Sequence, residues 1–311
     1  MTSLEKELSN YLSIRRGLGY KLLGAERLLR GFVDFMEAAA ETLVTSELAV
    51  QWALGNGSLR PATSLQRLGA VRQFTRYLAG LDPLMEIPPQ NLIQAKVTRS
   101  RPHIYSQKEI DGLLSAAARM GPTGALRPHT YHTFLGLLAS TGIRLSEGLA
   151  LQRDDVDLNR CILEIRKSKF RKSRLVALHA STVAALQCYA TVRDVRHRRQ
   201  FASFFITDKG EPLRDPMVRY YFVRLSKQVG LRNATSRSSH GPRIHDLRHS
   251  FAVKTLIRWY ESGVEVDRRL PYLSTYLGHA HVADTYWYLS ACPELLRLAG
   301  AKMEQMIAGV M

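Results

Sequence analysis

The apolar side chains of the first 97 residues recur at the spacing of α-helices. They return every three or four positions within each group, so the members of a group share one helix face. Four such groups occur, at residues 4–12, 28–36, 48–54 and 65–78. Pro61 before the last group and Gly80 after it mark the ends of a helix. Because short amphipathic helices bury their apolar faces together, we predict a helical bundle for residues 1–97.

A break in the pattern follows the predicted bundle. Residues 98–103 have no apolar period and are rich in positive charge, which is typical of an extended linker. Arg99 and Arg101 in this segment either lie along a DNA backbone or are merely solvated. The run from Ser106 to Glu109 then matches a capping box, in which both side chains bond backbone N–H groups at a helix start. We therefore predict a second domain over residues 104–311.

Helical periods dominate this second domain. The predicted helices are 107–119, 128–140, 181–193, 215–228, 245–260, 267–277 and 282–289, and the predicted strands are 161–166, 174–178 and 204–206. The first two strands follow each other closely and predict a β-hairpin. The expected fold class is mostly α with a small β-hairpin or sheet, an α+β domain.

The segment 291–311 is a separate amphipathic stretch with few charges. Its apolar residues are Leu295, Leu296, Leu298, Met303, Met306, Ile307 and Val310. An apolar face of this size has to be buried against another surface. Our hypothesis is that the tail docks on a neighbouring copy of the chain, and the alternative is that it packs on its own domain.

Positive charge is concentrated in the second domain. The chain has 44 Lys and Arg against 27 Asp and Glu, a formal net charge of +17. Residues 1–97 hold 11 basic and 9 acidic side chains, or +2, whereas residues 98–311 hold 33 and 18, or +15. Such an excess on one part of a protein favours binding to nucleic acid over a surface that is merely kept basic for solubility.

Cysteine content and hydropathy narrow the class of protein further. Cys161, Cys188 and Cys292 form no CxxC pair, so we interpret them as free thiols of a reducing compartment and expect neither disulfides nor a zinc site. No apolar run approaches the roughly 18 residues that span a bilayer. The first residues also lack the apolar core of a signal peptide. We expect a soluble, cytoplasmic protein without a membrane partner.

Two arginines in matching contexts are the leading candidates for chemistry. Arg144 lies just after Thr141-Gly142, where a helix is expected to end, and three residues before Glu147. Arg248 follows His245 by three residues, so both lie on one helix face. Taken alone, each pair is most simply structural. Two guanidinium forks can instead hold the two non-bridging oxygens of a phosphodiester and offset the charge that develops during attack.

The order of these residues resembles the tyrosine recombinase family, also called the phage integrase family. The matching motifs are Thr141-Gly-Ile-Arg-Leu-Ser-Glu147, His245-Asp-Leu-Arg-His-Ser-Phe-Ala252 and Leu277-Gly-His279, followed by Tyr288 nine residues after His279. One such motif is a weak signal, but three in the right order with a correctly placed tyrosine are specific. The resemblance covers roughly residues 104–290. For the N-terminal bundle it is only architectural, and there it resembles the core-binding domain of the family.

The resemblance implies a role for five of these side chains. Tyr288 attacks the scissile phosphate and forms a 3′-phosphotyrosyl bond, and the 5′-hydroxyl of a partner strand then reverses the step. Arg144 and Arg248 bind the phosphate oxygens, while His245 and His279 add hydrogen bonds or proton transfer. Since the covalent link preserves the energy of the phosphodiester, the resemblance implies no cofactor, no ATP and no metal.

The family also uses a lysine on a β-hairpin, and the basic run 166–174 occupies that place. Alignment backwards from Arg174 selects Lys169 as the general acid that protonates the departing 5′ oxygen, with Lys167 and Lys172 as alternatives. The rest of the run is expected to lie on DNA phosphates. Together with the linker, the predicted DNA contacts are Arg99, Arg101, Arg166, Lys167, Arg171, Lys172 and Arg174.

Two further assignments follow from spacing. Tyr286 competes with Tyr288 for the role of nucleophile, and the distance in sequence from His279 favours Tyr288. Glu147 is expected to hold the Arg144 region in place.

Family resemblance extends to partners and assembly. It implies that four copies clamp double-stranded DNA as a homo-tetramer, with accessory DNA-bending or co-recombinase proteins as further partners. Two alternatives would carry the same basic charge: a catalytically inactive DNA-binding regulator and a type IB topoisomerase. The complete catalytic set and the motifs favour a recombinase that integrates, excises or transposes DNA.

Overall fold

The computed structural model describes residues 4–55, 57, 59–94, 101–122, 124–166, 173–197, 201–233 and 241–308. The chain divides into two compact units, Met1–Ser100 and Arg101–Met311. Helices dominate both units, as the apolar periods predict. Across these ranges, no helix combines the length and the apolar character that crossing a bilayer requires.

Four helices pack as a bundle in the described part of the first unit. They are α1 (Leu4–Gly17), α2 (Leu23–Ala38), α3 (Ser46–Leu54) and α4 (Pro61–Leu78). Pro61 occupies the first turn of α4, where its missing N–H has no helical partner to lose. Leu8, Phe32, Trp52 and Phe74, one from each helix, meet in a single apolar core. The predicted helices of this region are thereby confirmed.

The second unit combines helices with a small sheet. Its helices are α5 (Gln107–Ala118), α6 (Arg127–Thr141), α7 (Leu145–Ala150), α8 (Ala180–Arg196), α9 (Asp215–Gln228), α10 (Asp246–Glu261), α11 (Val266–Leu277), α12 (Ala283–Ala291) and α13 (Pro293–Ala308). The strands β1 (Val156–Asp157), β2 (Ile162–Ile165) and β3 (Arg174–Ala177) form an antiparallel sheet in that order. Ser106 and Glu109 form the predicted capping box at the start of α5. The α+β fold class is confirmed.

The predicted strand at 204–206 is wrong. Only an isolated bridge between Ile206 and Pro212 and another between Gln152 and Ser203 occur there. Phe204, Phe205 and Ile206 are all buried. Periodicity alone cannot separate a buried loop from a buried strand when the apolar run is this short. The strand β1 is only two residues long and is not among the predicted strands.

The second unit has two apolar cores that meet along α10. The larger core joins α5, α6, the sheet, α8 and α9, and Leu247 at the start of α10 belongs to it. The smaller core contains Leu256 from the later part of α10, residues of α11, and Tyr288 of α12. Side chains near the start of α10 therefore lie where the two cores adjoin, and this is where the predicted site residues converge.

The C-terminal tail packs on its own domain in the described residues. Leu295 of α13 is fully buried in the smaller core, and α13 lies against α10 and α12. Lys302 donates a hydrogen bond from Nζ to the carbonyl of Val264, at 3.3 Å. In this single chain Leu295 is therefore buried as the alternative of packing on its own domain predicts, while Leu296 and Met303 of the same helix are exposed. Docking on a neighbouring copy stays a prediction.

Candidate active site

Arg144 lies in the short turn between α6 and α7. Gly142 ends α6 with φ +62°, and a Cβ atom there would lie 2.6 Å from the ring of Phe251, so only glycine fits. Arg144 then caps α7. Its Nη2 donates a hydrogen bond to the carbonyl of Gly278, at 2.6 Å. The helix junction predicted from Thr141-Gly142 is confirmed, and it directs the Arg144 guanidinium toward the end of α11.

Glu147 is the buried acceptor for two arginines. Its Oε1 accepts hydrogen bonds from Arg144 Nη1 at 2.8 Å and Arg174 Nη1 at 3.0 Å, and its Oε2 accepts one from Arg174 Nη2 at 2.8 Å. The backbone N–H of Arg144 also donates to Oε2, at 2.9 Å. Burial on its own would raise the pKa of the Glu147 carboxyl, but the bonds from Arg174 and Arg144 outweigh burial and hold the pKa at about 2.

The depressed pKa of Glu147 predicts a pH-dependent stabilisation. In the unfolded chain this carboxyl has its ordinary pKa of 4.5, so the stabilisation is present above that pH and is lost as the pH falls toward about 2. The wild type should have a larger unfolding free energy than Glu147→Gln at neutral pH. This excess should shrink by about 3 kcal/mol as the pH falls from 4.5 to about 2. Chemical denaturation of both proteins at several pH values measures it. Glu211→Gln, at an exposed carboxylate, is the control, and an excess that stays constant from pH 7 to pH 3 would contradict the prediction.

Arg248 is almost completely buried in the first turn of α10. Only 3% of the residue is exposed. Its Nη1 donates to the carbonyl of Gly142 and its Nη2 to the carbonyl of Leu277, both at 2.8 Å. Burial, together with the positive charge of Arg144, lowers the pKa of Arg248 to about 10. The guanidinium therefore stays charged at neutral pH and joins the end of α6 to the end of α11.

His245 stands immediately before α10 with an exposed side chain. Its ring contacts the ring of His249 edge to face, with centroids 4.8 Å apart. Partial loss of surrounding water and the charge of Arg248 lower the pKa of His245 below its usual range. A neutral imidazole is therefore favoured at neutral pH, and it can accept or donate a proton.

His279 follows the left-handed Gly278 that ends α11. Its Nδ1 lies 2.7 Å from the hydroxyl oxygen of Thr285, a residue that is itself fully buried. Burial and the charges of Arg248 and Arg144 lower the pKa of His279 to about 4. The ring is neutral at pH 7, and the contact with Thr285 fixes its orientation.

Tyr288 is buried against the rings of His279, His249 and Trp287, whereas Tyr286 is exposed. The Tyr288 ring stacks on His279 with centroids 6.0 Å apart and meets His249 at 5.5 Å and Trp287 at 5.5 Å. Tyr288 is 2% exposed and Tyr286 is 47% exposed. Of the two tyrosines, Tyr288 is thus the one that the fold places among the predicted site residues.

The charges of this cluster favour an anion. Arg144, Arg174 and Arg248 bring three positive charges against the single negative charge of Glu147, a difference of +2. Burial strengthens the repulsion among the guanidinium groups, which a phosphate diester would relieve. No group of three or more His, Cys, Asp or Glu side chains is placed to hold a metal ion within the described ranges.

The remaining predicted site residues fall in several places. Lys169, Lys167, Arg171, Lys172 and Arg99 lie outside the described residues, and Arg101 is exposed. Arg166 is half exposed and pairs with Asp155 at 2.7 Å and with Glu164 at 3.1 Å. The prediction for Arg174 is corrected by the structure.

Arg174 turns inward and is not part of the exposed basic surface that the sequence predicts for DNA phosphates. Its side chain is 9% exposed, and its Nε donates to the carbonyl of Tyr276 at 2.8 Å while its other two nitrogens bind Glu147. A basic run in a sequence does not tell which of its members turns inward. Arg174 turns inward because it binds the buried carboxylate of Glu147, 27 residues away in the chain.

Sequence reasoning also missed two side chains that contact the predicted residues. His249 lies four residues after His245 on the same helix face, a spacing that could have indicated the ring contact. Thr285 orients His279 from the next helix, and nothing in its sequence context indicates this.

Known proteins are similar to this chain over most of its length. A family model described as the phage integrase family matches residues 104–294. A protein described as an integrase/recombinase in Sinorhizobium fredii (strain NBRC 101917 / NGR234) is 45% identical over 310 residues and covers 98% of each chain. Tyrosine recombinase XerD of Caulobacter vibrioides is 29% identical over 274 residues, which are 86% of this chain and 83% of XerD.

Solved structures agree at the level of the fold. The Tn1549 transposon integrase in complex with transposon right end DNA superposes with a TM-score of 0.69 at 16% identity, over 98% of this chain and 100% of that one. The XerH recombinase in its post-cleavage complex with difH superposes with a TM-score of 0.67 at 19% identity, over 89% and 78%. The chain belongs to the phage integrase family and is a tyrosine-type site-specific DNA recombinase.

Proposed function

We propose that Tyr288 is the nucleophile of DNA cleavage and that Arg144, Arg248, His245 and His279 hold the scissile phosphate. The observation that carries this proposal is the packing of the buried Tyr288 ring on His279, directly after the turn whose carbonyls at Leu277 and Gly278 bind Arg248 and Arg144. A phenol is a poor nucleophile until its proton is removed or its anion is stabilised. A cluster with an excess of +2 supplies that stabilisation, and the same charge attracts the phosphodiester.

In the proposed reaction, a neutral imidazole, that of His245 or His279, accepts the phenolic proton of Tyr288. The phenolic oxygen attacks phosphorus, and the bond from phosphorus to the 5′ oxygen breaks. Lys169 gives a proton to the departing 5′ oxygen, which leaves a 3′-phosphotyrosyl bond and a free 5′-hydroxyl. Arg144 and Arg248 offset the charge on the two non-bridging oxygens. The 5′-hydroxyl of a partner strand then attacks the same phosphorus and releases the tyrosine. Each step breaks one phosphate ester bond and forms another, so strand exchange needs no external source of energy.

The role of Lys169 rests on alignment with the family motif and predicts a specific chemical rescue. Lys169→Ala should slow cleavage strongly on ordinary DNA, because proton transfer by a positioned side chain contributes about a hundredfold or more. A substrate with sulfur at the 5′ bridging position should restore the rate, since a thiolate leaves without a proton. Single-turnover cleavage of both substrates measures it. Rescue of Lys167→Ala or Lys172→Ala, with none for Lys169→Ala, would assign the general acid to a different lysine.

DNA is the partner of this family, and the charge distribution predicts how the chain binds it. With +15 on residues 98–311, binding should neutralise several phosphates. Each neutralised phosphate contributes a slope of about −0.9 to the logarithm of the binding constant against the logarithm of salt concentration. Affinity measured between low and moderate salt should therefore fall steeply. A nearly flat response would show that the basic surface does not lie on DNA.

We further propose that four copies assemble on two DNA sites and that accessory DNA-bending or co-recombinase proteins direct the outcome. Support comes from the family membership and from relatives described as integrases and recombinases.

A catalytically inactive regulator has no need of the complete set from Arg144 to Tyr288. The relatives and matched structures reported above are recombinases and integrases, which disfavours a topoisomerase.

Sequencing the DNA that becomes covalently attached to the chain tests the proposed function. Cells that express the protein are lysed under denaturing conditions, the protein is captured and its attached DNA is sequenced. A site-specific recombinase gives one or a few discrete sites that share a sequence. Scattered attachment without a common sequence would favour the topoisomerase alternative, and no attached DNA would favour the inactive regulator.

A further inference from the structure

Arg174 closes a loop of hydrogen bonds around the site. Its Nη1 and Nη2 bind the two carboxylate oxygens of Glu147, and its Nε donates to the carbonyl of Tyr276 at 2.8 Å. Glu147 in turn binds Arg144, whose Nη2 donates to the carbonyl of Gly278 at 2.6 Å. Since Tyr276 and Gly278 are two residues apart, the loop returns to its starting point through the end of α11.

This loop is buried and tightly packed. The side chains of Arg174 and Glu147 are 9% and 5% exposed. A Cβ atom at Gly278 would lie 2.7 Å from Nη1 of Arg174, so the guanidinium fills the space that a side chain at this position would need. Gly278 also has φ +70°, a conformation that other residues rarely adopt. A bidentate arginine in such a place fixes direction as well as charge.

We propose that Arg174 is a positioning residue for DNA cleavage. Through Glu147 it sets the direction of the Arg144 fork, and through the carbonyl of Tyr276 it sets the turn that presents His279. It touches neither the phosphate nor the nucleophile. The inference rests on the proposed function, in which Arg144 and His279 contact the scissile phosphate.

The chemistry of arginine explains why lysine cannot take this role. Arg174 uses three nitrogens in one plane, two on the carboxylate and one on the backbone carbonyl. Lysine keeps the charge but has a single nitrogen, so it cannot span both carboxylate oxygens and the carbonyl of Tyr276 together. Arg174→Lys therefore loosens Arg144 and the 276–279 turn without removing the positive charge.

Arg153 offers a matched control in the same unit. Its guanidinium also binds a carboxylate with two nitrogens, to Asp194 at 2.8 and 2.7 Å, but it lies in the turn before β1 and has no bond to the site residues. Arg153→Lys thus removes the same kind of fork from a pair outside the loop. Arg153→Lys therefore reports the loss of a bidentate arginine outside the loop, at a more exposed pair in which Asp194 keeps its bonds from Arg193.

The experiment measures single-turnover cleavage by the full chain on a nicked duplex that carries the site recovered by the sequencing described above. Two versions of the scissile position are compared, an ordinary phosphodiester and a methylphosphonate. The methylphosphonate has a methyl group in place of one charged oxygen, so its reaction depends less on a well-aimed arginine. A folding defect reduces the fraction of active protein, so it lowers the final extent of cleavage of both versions and leaves their single-turnover rate constants unchanged.

For Arg174→Lys we expect cleavage of the phosphodiester to slow by about tenfold to a hundredfold, the range that misplacement of a catalytic group produces. The loss on the methylphosphonate should be clearly smaller, and Arg153→Lys should cleave both substrates like the wild type. Equal losses on the two substrates, or a normal rate on the phosphodiester, would overturn the proposal.

A second variant keeps the test decisive if Arg174→Lys does not fold. Glu147→Gln opens the same loop from its other side and should show the same preference for the neutral substrate. Equal losses on both substrates for this variant would also overturn the proposal. Failure of the wild type to cleave either substrate would instead contradict the proposed function, so the two failures are distinguishable.

Discussion

A Tyr288→Phe variant is expected to form no covalent adduct with DNA while it still binds DNA. The substitution removes only the phenolic oxygen, so the ring keeps its packing on His279, His249 and Trp287. Binding depends mainly on phosphate contacts from basic side chains, which remain. A nicked substrate prevents religation, and a denaturing gel then separates the protein–DNA adduct from free DNA.

Tyr286→Phe is the matched control for this result. The two tyrosines are two residues apart in α12, but Tyr286 is 47% exposed and lies outside the cluster. Adduct formation by Tyr286→Phe should equal that of the wild type. An adduct that persists in Tyr288→Phe and disappears in Tyr286→Phe would reassign the nucleophile.

The second large effect is expected for Arg248→Ala, which should slow cleavage by about a hundredfold to a thousandfold. Removal of one preorganised donor from a site where charge develops costs this much in other enzymes. Arg248 is also 3% exposed and bonds the carbonyls of Gly142 and Leu277, so its loss leaves two buried acceptors without a partner. The unfolding free energy should therefore fall as well, and denaturation measures that part separately.

Two comparisons make the Arg248 result interpretable. Arg258→Ala removes an exposed positive charge from the same helix and should change neither the rate nor the stability much. Arg248→Lys keeps the charge but loses the fork, and it should recover only part of the rate. Full activity in Arg248→Lys would mean that charge alone is required, and full activity in Arg248→Ala would remove Arg248 from the site.

Local patterns in the sequence were sufficient for most helices and for the order of the site residues. The α6–α7 junction, for example, follows from Thr141-Gly142, because glycine adopts the left-handed conformation that ends a helix. Spacing alone favours Tyr288 over Tyr286 as the nucleophile, and this assignment stays a prediction; the structure adds that Tyr288 is buried and Tyr286 is exposed. Patterns of this kind depend only on a few neighbouring residues, so they predict local structure without knowledge of the rest of the fold.

Long-range pairings were not predictable from such patterns. Glu147 accepts two hydrogen bonds from an arginine 27 residues away, and Arg144 donates to a carbonyl 134 residues away. Nothing near Arg174 in the sequence separates it from its basic neighbours, so the sequence predicts the same place on the DNA surface for all of them. Its direction depends on the strand register of β3 against β2 and on a buried carboxylate, which only the folded chain brings together.

The central claim, that this chain cleaves DNA through Tyr288, is tested most directly by mapping the attachment site with mass spectrometry. The trapped adduct is digested with nuclease and trypsin, and trypsin leaves residues 270–297 as one fragment because no Lys or Arg lies within 270–296. Fragmentation of this peptide should place the nucleotide mass on Tyr288. Attachment at Tyr286, at a tyrosine elsewhere in the chain, or at none would contradict the claim.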